Sequence, residues 1–137
     1  MNSTPFKVAS LGIGWWSDVL AEAASRTRGR VEIVSCFTRS EGKRNAFAET
    51  FNCRAATSLD ELLTDPEIAG IINTTPNHVH LETTQAAAQA GKHVFLDKPI
   101  ANVIGEANAI TEVCKDAGVV LAVGYQRRRE GHFWLDH

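Results

Sequence analysis

Apolar and polar positions follow two periods that alternate along this chain. Short apolar, β-branched-rich runs fall at 7–11, 31–37, 70–73, 93–96 and 119–123, and each has the length of a buried strand. A briefer run at 53–56 predicts a short third strand. Helical spacing fills the intervals. Residues 16–26 place Leu20, Ala21 and Ala24 on one face, with Gly29 as a stop. Residues 40–51 gather Ala46, Phe47 and Phe51 on one face. Ser58-Leu59-Asp60-Glu61 reads as a capping box opening a short helix to Leu63. The alanine-rich segment 79–90 ends at Gly91, and Asn102 is placed to cap a helix over 102–117 that Gly118 stops.

Strands that alternate with helices predict a parallel sheet covered on both faces. Right-handed crossovers make it doubly wound, with strand order 3-2-1-4-5-6. Ligands of such sheets bind beyond the carboxyl ends of the strands. The segments to inspect are therefore 12–16, 38–40, 74–80, 97–99 and 125–127.

Composition narrows the class. A chain of 137 residues, 44% hydrophobic and 22% charged, has the make-up of one soluble domain. A net charge of −2 gives no nucleic-acid footprint, and Arg127-Arg128-Arg129 is only a local cluster. No apolar run is long enough to span a bilayer, and the opening MNSTPFK has no signal-peptide core. Cys36, Cys53 and Cys114 lack metal-ligand spacing and read as reduced thiols, so a cytoplasmic location is expected.

The first strand runs into Gly12-Ile13-Gly14, then Trp15 and Trp16 begin a helix. Strand, glycine turn and helix together give G-x-G its meaning. One glycine makes the turn, the next lets a pyrophosphate reach the backbone, and the helix offers free N–H groups and a positive dipole end. Ser17 stands at the third fingerprint position. The alternative is a glycine-rich turn in some other α/β domain. After the second strand comes Thr38-Arg39-Ser40, where NAD-preferring domains carry Asp or Glu. Arg39 and Ser40, with Lys43 or Arg44, could hold a 2′-phosphate, which favours NADP over NAD; Arg39 could equally stack on adenine or face water.

Beyond the fourth strand, Thr74, Thr75, Pro76 and Asn77 turn the chain beside this cleft, and Asn77 could also cap the next helix. His78 and His80 lack a third ligand nearby, so no metal is expected. At the fifth strand's mouth stands Asp97-Lys98-Pro99. A lysine there could polarise a carbonyl or move a proton, with Asp97 orienting it, or it could be a surface ion pair.

GIGWWS at 12–17, INTTPNHVH at 72–80, AGKHVFLDKPIA at 90–101 and AGVVLAVGYQRRR at 117–129 together resemble the Gfo/Idh/MocA oxidoreductase family. The resemblance implies a Rossmann fold. It implies Lys98 as the catalytic lysine, although Asp97 stands where members usually carry Glu. Thr75, Pro76 and Asn77 become the cofactor-lining turn with His80 behind, and Gln126 and Arg127 meet the cleft. The implied reaction is hydride transfer between NADP(H) and a secondary alcohol or ketone, the substrate being a polyol, sugar or dihydrodiol. Members carry a second α/β domain with the substrate pocket, a catalytic histidine and the oligomer interface. This sequence stops at EGHFWLDH, where that domain begins. The expectation is thus a Rossmann domain over 1–124 lacking the C-terminal α/β domain, then a tail over 125–137 that exposes apolar surface and favours a homo-oligomer. The alternative is a non-catalytic nucleotide-binding or dimerising module.

Overall fold

The computed structural model describes residues 4–97, 101 and 103–124. In chain order they form β1 (Phe6–Leu11), α1 (Trp15–Ser25), β2 (Val31–Phe37), α2 (Glu41–Phe51), β3 (Arg54–Ala55) and α3 (Leu59–Thr64). Then follow β4 (Gly70–Asn73), a 3-10 turn (Asn77–Val79), α4 (His80–Gln89), β5 (His93–Asp97), α5 (Ile104–Ala117) and β6 (Leu121–Gly124). Every strand pair is parallel, and the order is β3-β2-β1-β4-β5-β6. This is the doubly wound sheet that the alternating pattern predicts.

The pleat sorts side chains between two helical layers. Ala9 and Leu11 of β1, Ile71 of β4 and Leu96 of β5 meet Leu62 of α3, Ala87 of α4 and Ile110 of α5. Leu62, Ile71, Leu96 and Ile110 are buried, and each contributes roughly 1.5–3 kcal/mol. On the opposite face Cys36 of β2 packs with Ala21 of α1 and Phe47 of α2. That face continues over β4, β5 and β6 as Ile72, Phe95 and Ala122, which are register partners. No described helix lies over this half. With Phe6 it forms a shallow apolar groove of about 400 Å3.

Local chemistry moves several expected boundaries. The first helix starts at Trp15, one residue early, because Gly14 serves as its N-cap. It ends at Ser25; a turn at Arg26–Arg30 follows, in which Thr27 Oγ1 donates to Ala24 O at 2.8 Å and accepts from Val31 N at 2.9 Å. In α2, Ala46 is exposed and Ala48 packs inward instead, while Asn52 closes the helix in the left-handed region. Only half of the capping box forms. Ser58 Oγ accepts from Glu61 N, but the Glu61 carboxylate turns to Thr57 Oγ1 at 3.0 Å. Asn77 caps nothing: the chain enters α4 through a 3-10 turn with no side-chain cap, Pro76 preceding it. Asn102 lies outside the described residues, and Val103 stands at the N-cap of α5.

The end of the sheet remote from the strand mouths is tied by charge. Arg54 Nη2 donates to Asp65 and Glu67 carboxylates at 2.9 Å each, and Lys7 Nζ reaches Glu67 at 2.9 Å. Hydrogen bonds from Lys7 and then Arg54 hold Glu67 below the usual carboxylate range. Deeper in, the buried Lys92 ammonium donates to the carbonyls of Asp65 at 2.8 Å and Ile68 at 2.7 Å. Lys92→Met strands both acceptors without disturbing the strand mouths. It is expected to lower stability by roughly 1–3 kcal/mol in denaturant unfolding, with the fold retained.

Candidate functional site

The mouth of the sheet is organised by Gly12. Its N–H donates to Phe37 O at 2.9 Å, and its carbonyl accepts from Thr74 Oγ1 at 3.0 Å. Thr74 N donates to Leu11 O at 2.9 Å, so the ends of β1, β2 and β4 are laced together. Gly12 has φ +85°, a conformation open chiefly to glycine. A Cβ there would lie 2.9 Å from Thr75 N and 3.0 Å from the Thr74 carbonyl carbon, both backbone atoms that cannot step aside. Gly12 therefore supplies both the turn and a close packing contact.

Gly14 is different. Its backbone is extended, and no atom lies within 4 Å of where its Cβ would stand. Gly14 is the N-cap of α1, whose first N–H groups have no intrahelical acceptor. Ser17, buried beneath, accepts from Gly14 N–H and contacts Gly14 O, both at 2.8 Å. The donors left for an anion are accordingly those of the first helical turn, at Trp15 and Trp16. Ile13 packs into the α1–α2 cluster and fixes the turn from below. The Trp15 and Trp16 rings tilt together at 5.6 Å; Trp15 is exposed, and Trp16 Nε1 is buried with no partner among the described residues.

At the end of β2 the expected cationic residues divide in role. Arg44 Nη1 donates to Thr38 O at 3.2 Å and Arg39 O at 3.4 Å, and its guanidinium lies 5.8 Å over the Phe37 ring. Arg44 thus braces the turn from beneath. Arg39 is exposed at its tip, and Ser40 Oγ accepts from Lys43 N as the N-cap of α2. Cys36, one residue before Phe37, donates through Sγ to Arg44 O at 3.5 Å, and the neighbouring Cys53 together with burial pushes its thiol up. All three cysteines are free thiols.

Across the cleft, the turn after β4 is held by a polar network centred on Asn73, which is buried. Its Nδ2 donates to Thr83 Oγ1 at 2.7 Å, and its Oδ1 accepts from Thr75 Oγ1 at 2.6 Å and Thr75 N at 3.1 Å. Thr83 Oγ1 in turn donates to Val79 O at 2.8 Å. His80, also buried, lies with Nε2 2.8 Å from Thr75 O. A carbonyl only accepts, so Nε2 carries the proton. His80 is a brace for the turn, while His78 is exposed at the rim.

Between these walls opens a cleft of about 610 Å3. Of the residues expected from the sequence, Gly12, Thr38, Arg39, Thr75 and Pro76 line it. Gly14, Trp15, Trp16, Ser40, Arg44, Thr74, Asn77, His80 and Asp97 are not among its lining residues. Ile13 is likewise absent. Lys98 and Gln126 lie outside the described residues. Several lining residues escaped sequence reasoning. Thr57 and Ser58 follow β3, a strand mouth short enough to be passed over. Phe37, Leu59 and Val79 supply apolar wall, and Glu82 brings a carboxylate from α4. Asn73 was hidden as the last residue of an apolar strand.

Residues 6–125 match the family model described as "Oxidoreductase family, NAD-binding Rossmann fold", GFO_IDH_MocA. The chain belongs to the Gfo/Idh/MocA family. It is 36% identical over 98 residues to 1,5-anhydro-D-fructose reductase of Ensifer adhaerens, covering 71% of this chain and 29% of that protein. It is 31% identical over 128 residues to the NADP(+)-linked scyllo-inositol 2-dehydrogenase of Bacillus subtilis, covering 93% and 35%. The WlbA dehydrogenase of Bordetella pertussis, crystallised with NADH and UDP-GlcNAcA, superposes with a TM-score of 0.92 at 25% identity, covering 98% and 40%. The chain thus spans well under half the length of the relatives it matches. The family's fold is NAD-binding, and the open cradle at Gly14 above a helix N-terminus fits a dinucleotide pyrophosphate.

The Asn73 network predicts a measurable cost. Asn73→Ala leaves Thr75 N and the Thr75 and Thr83 hydroxyls to find other partners in a buried site. A loss of roughly 2–4 kcal/mol is expected in denaturant unfolding, and cofactor affinity should fall with it. Unchanged stability would show that the turn is held by packing alone.

Proposed function

We propose that this chain is the cofactor-binding part of an oxidoreductase that moves hydride between NADP(H) and a secondary alcohol or ketone of the sugar, inositol or dihydrodiol class. The observation that carries the proposal is the cleft itself. Gly12 lines it where a side chain would collide with the Thr74–Thr75 backbone, and at the end of β2 it carries the exposed Arg39 where NAD-preferring domains place a carboxylate. The names of the relatives, an anhydro-sugar reductase and an NADP(+)-linked inositol dehydrogenase, support the substrate class.

In this reading the first-turn N–H groups of α1 receive the pyrophosphate. Arg39 and the Ser40 hydroxyl at the start of α2 take the 2′-phosphate, with Arg44 holding that turn in shape. Thr75, Pro76 and Asn77 border the nicotinamide side, and His80 and Asn73 keep them there. The bound cofactor supplies the hydride. Lys98, with Asp97 before it, is the residue we assign to the substrate oxygen, where an ammonium stabilises developing charge or delivers a proton. We place the dinucleotide-binding domain at 1–124 and a C-terminal tail at 125–137. The apolar half-face over Ile72, Phe95 and Ala122 is a surface we expect to be covered by self-association. Light scattering should then report a dimer or larger species, and a monomer at every concentration removes that part of the proposal.

Titration of NADPH and NADH by reduced-nicotinamide fluorescence tests the cofactor assignment. NADPH is expected to bind more tightly, and equal or tighter NADH binding overturns it. Thr38→Asp should move the preference toward NADH by repelling the 2′-phosphate. Gly14→Val should abolish binding while the chain stays folded, because its side chain enters open space. Lys98→Ala should leave both affinities nearly unchanged. In an enzyme carrying the substrate domain, it should lower turnover by about two to four orders of magnitude.

A further inference from the structure

Glu82 is the one acidic side chain among the described residues that line the cleft, and it has no use in the binding scheme above. It is exposed, with no salt bridge or hydrogen bond among the described residues, so its carboxylate is free to meet a ligand. It comes from α4, the layer opposite the Gly12–Gly14 turn and α2. The same cleft is lined by the apolar Phe37, Leu59, Pro76 and Val79 and by the hydroxyl residues Thr57 and Ser58. Apolar surface interspersed with hydroxyls suits a heteroaromatic ring. The cation of the cleft, Arg39, belongs to the β2 side.

We propose that Glu82 reads the base of the dinucleotide, accepting a hydrogen bond from the exocyclic amine of adenine. This rests on the dinucleotide reading above and adds base selectivity to it. The chemistry is specific because an ionised carboxylate only accepts. Adenine offers an amine at that edge. Hypoxanthine offers a carbonyl oxygen there, which sets two acceptors face to face. A ribose contact is the competing role for a carboxylate in this cleft. It is disfavoured because Glu82 comes from α4, whereas Thr38, Arg39 and Ser40, which the reading above gives to the ribose and its phosphate, follow β2.

The test compares four reduced cofactors by nicotinamide fluorescence, a signal that does not depend on the base: NADPH, NADH and their hypoxanthine counterparts. The intact chain is expected to bind NADPH about tenfold more tightly than the hypoxanthine analogue. Glu82→Gln keeps size and helix propensity but both accepts and donates, so the two bases should bind within about twofold of each other. Glu82→Lys should invert the preference. In Glu82→Gln the ratio of NADPH to NADH affinity should stay as in the parent. Equal binding of both bases by the parent overturns the proposal, as does base discrimination that survives Glu82→Gln. A changed NADPH-to-NADH ratio with base discrimination intact assigns Glu82 to the ribose and overturns it too. Failure of the parent to bind any of the four removes the dinucleotide reading itself, which is a different result from loss of base selectivity.

Discussion

The contact on which the site depends is the approach of the Gly12 backbone to Thr74 and Thr75. β1 is the strand at which the sheet order reverses, with β2 on one side and β4 on the other. The helices that leave β1 and β2 go to one face, and those that leave β4 and β5 go to the other. A crevice opens between them for purely topological reasons. Its depth is set by how closely the turn after β1 can sit against the turn after β4. With no Cβ on Gly12, three backbone segments share hydrogen bonds at 2.9 Å, and the crevice floor is main chain rather than side chain.

A floor of main chain needs a rigid surround, and each turn is braced by a different device. Behind the β4 turn, Asn73 links Thr83 to the Thr75 hydroxyl and N–H, and His80 holds the Thr75 carbonyl. Under the β2 turn, the Arg44 guanidinium spans two carbonyls and lies against Phe37. Below the β1 turn, the Ser17 hydroxyl replaces the small residue of the usual fingerprint. It does more than fit: it engages both Gly14 N and Gly14 O. Such bracing fixes positions before a ligand arrives, so ordering them costs nothing at binding.

Much of the fold was legible because each strand is an apolar run bounded by glycine or a capping residue, and the helices between them keep one period. What stayed illegible depends on contacts far apart in sequence. Asn73 looks like the ragged end of GIIN until Thr83 arrives one helical turn inside α4. Ala46 and Ala48 are equivalent by composition, and only the twist of α2 over β2 chooses the second. The Glu61 carboxylate had two local partners on offer and took the Thr57 hydroxyl, so half a capping box formed. Arg44 read as a phosphate ligand because spacing puts it near Arg39; spacing says nothing of carbonyls that claim it first.

That last case bears on charge in the cleft as a whole. A guanidinium already bridging Thr38 O and Arg39 O cannot leave without stranding both, so Arg44 contributes field and shape more than a movable contact. Arg39, exposed above it, keeps its donors for a ligand. Glu82 stands in the opposite layer with its acceptors unspent. Opposite charges on opposite walls, not paired with each other, give the cleft a direction. An anionic group is favoured toward the β2 turn and a hydrogen-bond donor toward α4, and a ligand lying the other way meets repulsion at both ends. In the proposed binding mode, electrostatics across the cleft would then decide orientation, while backbone donors and apolar surface would supply affinity.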